Sequence, residues 1–375
     1  MTSGFGSRQA TDPSGPCRRP AGPGPHRPVP RRGMKAIEVR GLRKEYRIPQ
    51  KEPGPAGTLK HFLHPRYRAK TALDGVGFEV EPGDSVGYLG SNGAGKSTTI
   101  KILTGLMTPT AGHVRVNGLE PHRDRRRHVR GIGAVFGHRT SLWWDLPVAD
   151  SFKTLASMYE IPQAAYRANL ALFTDLLELG EFLSVPVRQL SLGQRMRADL
   201  AAALLHDPAL VFLDEPTGGL DVNSKAAVRQ FIRHLNQRQG TTVFLTSHDM
   251  ADIEGMCRRL IILDHGSKVL DDDIASVKQR LAADRRLVLT VPATEDVDEV
   301  ARTVRATGVT CEVLDRQRLS CAFDRNTTSA AHLVGAIMRD HEIVDFELRE
   351  PTLEHIVQRL FRPRAATASG GGDLP

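Results

Sequence analysis

The chain has 375 residues, 40% apolar and 25% charged, enough to bury the cores of two or three domains. Its longest apolar runs, such as residues 200–205, fall far short of the ~18 residues a membrane-spanning helix needs, and no N-terminal stretch has the apolar centre of a signal peptide. The net charge is +8, of which residues 1–33 carry +5 through six arginines against the single acid Asp12.

With seven prolines among them, residues 1–33 cannot bury enough apolar surface to fold. They read as a disordered tail, or as the result of a start codon placed too far upstream, with Met34 the working start. Residues 37–39 and 76–80 alternate as strands do, around a polar, Pro-rich insert at 48–71. Residues 85–89 predict a buried strand, followed by a glycine-rich turn and a helix over 100–106. Helical patterns dominate 148–205. Short apolar runs at 210–213 and 242–246 then alternate with helical segments. The alternation predicts an α/β fold with a mostly parallel sheet and a helical subdomain.

From residue 283 the character changes. Segments 286–290, 296–305, 310–314, 318–323, 329–338 and 343–348 read β-α-β-β-α-β, a ferredoxin-like order, before an amphipathic helix at 352–361. The expected division is a tail at 1–33, a main domain at 34–282, an accessory domain at 283–362 and a flexible tail at 363–375. Cys17, Cys257, Cys311 and Cys321 show neither CxxC spacing nor paired histidines and read as free thiols.

Gly90-Ser91-Asn92-Gly93-Ala94-Gly95-Lys96-Ser97 fits the pattern G-x-x-x-x-G-K-[ST] between a strand and a helix. Its glycines let backbone N–H groups converge on phosphate oxygens, and the helix N-terminus favours an anion. Lys96 is expected on the β- and γ-phosphates and the Ser97 hydroxyl on Mg²⁺, with Thr98 next in the cradle. The apolar run Leu210-Val211-Phe212-Leu213 ends in Asp214-Glu215. Ligands bind at the carboxyl ends of such strands. Asp214 is expected to hold Mg²⁺ and Glu215 to orient the water that attacks the γ-phosphate of ATP.

Leu190-Ser191-Leu192-Gly193-Gln194 opens a helix, with Leu190 lying 24 residues before Asp214. At this element the chain resembles the ATP-binding cassette family, whose signature is LSGGQ. The resemblance implies a P-loop NTPase cassette that pairs head to tail with a second, each signature closing on the other's ATP. Ser191, Gly193 and Gln194 carry over as nucleotide contacts, while Leu192 stands where the pattern has its first glycine. Gly218-Gly219-Leu220-Asp221 looks like the family's D-loop. Thr246-Ser247-His248-Asp249 looks like its switch region, which makes His248 the γ-phosphate contact. The family stacks adenine on an aromatic ring; Tyr46 matches by local motif and Tyr67 by distance to the next strand, and Tyr46 is preferred.

One departure is chemical. The family's Q-loop glutamine contacts Mg²⁺, but residues 132–148 read IGAVFGHRTSLWWDLPV. His138 or Gly137 takes the glutamine's place, depending on which half is aligned; His138 is the candidate ligand. Adjacent side chains do not share one face of a helix or strand. One of Trp143 and Trp144 is therefore expected to face outward, where the resemblance implies a short helix from a membrane subunit; local packing is the alternative.

The resemblance covers residues 36–270. The segment VFGHRTSLWWDLPV and the ending Glu350-Pro351-Thr352-Leu353-Glu354-His355-Ile356 resemble the ATPase subunits of ABC-2 type exporters. That implies a peripheral subunit on the cytoplasmic face of the plasma membrane, bound to separate permease subunits, working as a homodimer or heterodimer of cassettes; nucleic acid is not an expected partner. An importer of the sugar type would carry a longer C-terminal domain. A soluble cassette ATPase, the alternative, would show two cassettes or a coiled-coil insert. A protonated imidazole cannot ligate a metal. ATP turnover should therefore fall below about pH 6.5, the free-histidine value. The check is a pH–rate profile: His138→Gln should remove that acid limb, and an unchanged limb would exclude His138 as its source.

Overall fold

In a computed structural model, residues 33–49, 67–137, 139–281, 284–324, 327–349, 353–354 and 357 are described. A long antiparallel hairpin comes first, β1 (Ile37–Pro49) and β2 (Tyr67–Val80). β3 (Ser85–Gly90) runs through the glycine-rich turn into α1 (Lys96–Leu103). β4 (Ala111–Val116), α2 (Arg125–Arg130) and β5 (Ile132–Phe136) follow, then three longer helices, α3 (Val148–Met158), α4 (Gln163–Leu176) and α5 (Leu192–Leu204). β6 (Leu210–Asp214), α6 (Val222–Gln239), β7 (Thr242–Thr246), α7 (Met250–Met256), β8 (Arg259–Asp264), β9 (Ser267–Asp273) and α8 (Ile274–Leu281) complete this part.

Six of these strands form one sheet in the order β5-β6-β7-β3-β8-β9, parallel except for β9. The continuous apolar runs follow from burial on both faces. Along β6, Val211 and Leu213 join a core shared with the helices, while Leu210 and Phe212 join a second core under the antiparallel sheet β2-β1-β4. Phe244 of β7 sits at the centre of that second core, its ring 5.8 Å from Phe78, 5.0 Å from Tyr88 and 5.9 Å from Phe212.

The expected insert at 48–71 is shorter than its composition suggested. Ile48 and Pro49 extend β1, and Tyr67 to Thr71 extend β2, so beyond the register shifts between Val39 and Glu45 the pairing runs on to Pro49↔Tyr67. Main-chain pairing outweighs the polar composition there, because edge positions of a ribbon need no apolar side chains. The helix expected at 100–106 begins at Lys96 and ends at Leu103.

The C-terminal part holds β10 (Asp284–Thr290), α9 (Val297–Ala306), β11 (Thr310–Val313), β12 (Arg318–Asp324), α10 (Ala330–Ile337) and β13 (Asp345–Arg349). Its antiparallel sheet has the order β11-β12-β10-β13, the ferredoxin-like arrangement expected from the sequence. Leu287, Leu289, Val300, Val304, Leu319 and Ile337 give it a core of its own. Cys311 and Cys321 pair across β11 and β12 with sulfurs 3.6 Å apart, and both are free thiols, as is Cys257; Cys17 lies outside the described residues. After β13 the chain returns to the first part. Leu353 and Val357 are buried in the helix-side core with Ile274 and Val277. Glu254 of α7 accepts the Leu353 N–H at 3.1 Å and the Lys278 ammonium at 2.8 Å. No helix among the described residues is long and apolar enough to cross a membrane.

Phe244→Ala would leave a cavity between the sheets and should cost about 3–5 kcal/mol of unfolding free energy. A denaturant titration measures it; a loss below about 1 kcal/mol would mean that the aromatic cluster does not anchor this core.

Candidate functional site

β3 delivers the glycine-rich turn to the carboxyl edge of the sheet. Gly95 there has φ 108°, and a Cβ on it would lie 2.7 Å from the carbonyl oxygen of Ala72. Only glycine satisfies both the left-handed backbone and that approach. No side chain caps α1 at Gly95, so the first N–H groups of the helix are left for a ligand. Lys96 folds back over the turn, donating to the carbonyls of Gly90 at 2.6 Å and Ser91 at 3.2 Å. Burial lowers its pKa, and the Glu215 and Asp214 carboxylates oppose that shift.

Asp214 ends β6, and Thr246 at the end of β7 donates its hydroxyl to it at 2.6 Å. Glu215 turns the chain with φ 57°, its N–H shared between the Thr246 carbonyl at 3.1 Å and hydroxyl at 3.2 Å. Its carboxylate meets His248 Nδ1 at 2.7 Å. The N–H of Gly137 donates to the Asp214 carbonyl at 2.9 Å, so the loop after β5 passes beside both acids. His138, the candidate glutamine substitute, lies outside the described residues.

These groups surround a cleft of about 680 Å³, lined by Tyr46, by the turn from Asn92 to Thr98 except Ala94, and by Asp214 and Glu215. Gly90, Ser91 and Ala94 do not line it, and Ser91 Oγ donates to Asp264 at 3.3 Å. Tyr46 is held by its hydroxyl, 3.2 Å from Thr98 Oγ1, and by the Lys44 ammonium 5.6 Å from its ring centroid. Tyr67 is absent from the lining. Arg47, Ile48 and Lys70 also line the cleft. Sequence reasoning missed them because they fell in or beside the supposed insert; the alternation running on from Tyr46 was the available signal.

Ser191, Gly193, Gln194 and Asp221 do not reach this cleft. Ser191 caps α5 by accepting the Gln194 N–H at 3.2 Å, and the Gln194 side chain accepts the Ser191 N–H at 3.0 Å. The glutamine expected to touch nucleotide is thus engaged in a capping box. Gly193 lies so near Ser224 that a Cβ would be 2.5 Å from its Oγ. Asp221 caps α6 through the Ser224 N–H at 3.0 Å. Buried Asp199 on α5 accepts from the Thr140 hydroxyl at 2.9 Å and the Ser141 N–H at 2.9 Å, fastening the loop after β5 to the signature helix. Trp143 and Trp144 are 39% and 50% exposed. Both face outward, where one was expected, because they sit in a turn without the alternation of a strand.

Residues 73–218 match the ABC transporter family. The Nod factor export ATP-binding protein I of Burkholderia pseudomallei is 36% identical over 206 residues, 55% of this chain and 67% of that protein. The daunorubicin resistance ATP-binding protein DrrA3 of Streptomyces coeruleorubidus is 32% identical over 296 residues, 79% of this chain and 92% of that protein. Among solved structures, a dimeric ATP-binding cassette in a post-hydrolysis state bound to ADP and Pi superposes with TM-score 0.53 and 25% identity, over 64% of this chain and 98% of that one. With its phosphate cradle, paired carboxylates and histidine at one sheet edge, the chain belongs to the ABC transporter family as an ATP-binding, ATP-hydrolysing subunit.

Proposed function

We propose that this ATPase powers an exporter, docking as a peripheral subunit on the cytoplasmic face of ABC-2 type permease subunits. The names of the relatives, Nod factor export and daunorubicin resistance, support the direction of transport. The exposed Trp143–Trp144 turn, fastened through Asp199 to the signature helix, supports a docking surface beside the nucleotide. The proposed units are a nucleotide-binding cassette at 34–282 and an accessory domain at 283–362.

The observation that carries the mechanism is one cleft lined by Lys96, Asp214 and Glu215, with His248 bonded to the Glu215 carboxylate. Lys96 is held by two carbonyls that cannot neutralise it, so a triphosphate is the stronger partner. Glu215 orients the attacking water and takes up its proton, and His248 holds the carboxylate until the γ-phosphate draws the imidazole to itself. Ser97 and Asp214 offer hydroxyl and carboxylate oxygens to the same cleft, hard donors that suit Mg²⁺. When bound, that ion would neutralise charge on the β- and γ-phosphates. Ser191 and Gly193 do not line their own cleft and serve the nucleotide of a second cassette, so the working unit is a dimer.

Glu215→Gln should retain ATP binding and lose turnover by about a hundredfold or more, trapping the closed dimer. Hydrolysis at the wild-type rate would remove Glu215 from the chemistry. Affinity purification from gently solubilised host membranes tests the exporter reading. A stoichiometric partner with several membrane spans is expected; recovery from the soluble fraction alone would overturn it.

A further inference from the structure

The nucleotide cleft has more wall than the family's motifs account for. Arg47, Ile48, Lys70 and Ala72 line it, all on the two strands of the extended hairpin. Tyr46 pairs directly with Lys70. Directly paired residues of an antiparallel ladder point to the same face, and so do residues two apart on one strand. Lys70 and Ile48 therefore flank Tyr46 on the face turned to the cleft.

Position along the strand fixes what Lys70 can reach. The Ala72 carbonyl packs against Gly95 of the phosphate turn. Lys70 lies two residues further along, about 6–7 Å in a strand, toward Tyr46. Its base therefore stands level with the aromatic platform, one strand repeat from the phosphate turn, while Lys96 lies at the acid end near Asp214 and Glu215. Neither Arg47 nor Lys70 makes an ion pair among the described residues. Unpaired cations facing a cleft raise the local potential for an anion.

We propose that the extended hairpin is part of the nucleotide site, with Lys70 a second cation that contacts the ribose and α-phosphate side of bound ATP. Ile48 lengthens the apolar wall that Tyr46 offers the base. The proposal rests on the reading of this cleft as the ATP site. It assigns Lys70 to binding and leaves the chemical step to Lys96, Glu215 and His248. Because the α-phosphate and ribose are common to ATP and ADP, Lys70 stabilises both alike.

Calorimetric titration of the full chain with ATP and with ADP is the test, with melting temperature as the control for folding. Lys70→Ala should raise both dissociation constants by about three- to fivefold, and Lys70→Glu by about tenfold. Lys70→Arg should restore binding, and the loss should shrink at about 0.3 M salt. Ile48→Ala should weaken adenosine as well as ATP. If Lys70→Glu binds both nucleotides within about twofold of wild type, or loses ATP while keeping ADP, the assignment is overturned. A wild-type chain that binds neither nucleotide would instead overturn the ATPase reading beneath it.

Discussion

The chain leaves the central sheet at Glu215 in a left-handed conformation, φ 57°. For a residue with a side chain this costs about 1–2 kcal/mol. Without the bend, strand alternation would send the Asp214 and Glu215 side chains to opposite faces. With it, one carboxylate turns to Thr246 and the other to His248. Thr246 stabilises both arrangements, since its hydroxyl donates to Asp214 while its two oxygens accept the Glu215 N–H. Strain of this kind collects where function needs it, and here a buried strand on each side holds it in place. Leu213 and Leu245 are fully buried immediately before the two ends.

Charge organises the rest of the cleft. Two acids at the sheet edge face one lysine, which is partly buried and bonded to neutral carbonyls. The helix N-terminus beside it has no side-chain cap. α5 and α6 are different: Ser191 and Asp221 satisfy their first N–H groups within the chain. Of these three helices, the uncapped one faces the cleft. The signature serine commits its hydroxyl to its own helix, accepting the Gln194 N–H.

Much of this was legible in the sequence. The P-loop, the LVFLDE strand and the βαββαβ order are local patterns whose spacing encodes their geometry. Three features escaped. Residues 48–71 look like a loop because Pro and charged residues dominate, yet both ends pair as strand, and that pairing is set by the partner strand rather than by composition. Gln194 looked like a ligand because of the motif it completes, whereas a Ser three residues before a Gln is equally a capping box. The tryptophan pair escaped for a third reason, because alternation applies only inside regular structure and both rings lie in a turn.

Glu254 gives the accessory sheet a mechanical character. The helix that leads into that sheet is bonded to this carboxylate through Lys278, and the segment that leads out of it is bonded through the Leu353 amide. The domain thus hangs like a bucket whose two handle-ends are hooked on one peg. It cannot swing about a single free tether, and a pull on it is felt at the peg. The peg belongs to α7, whose capping residue Asp249 directly follows His248. The anchorage of the accessory domain and the histidine facing Glu215 therefore lie on one continuous stretch of chain.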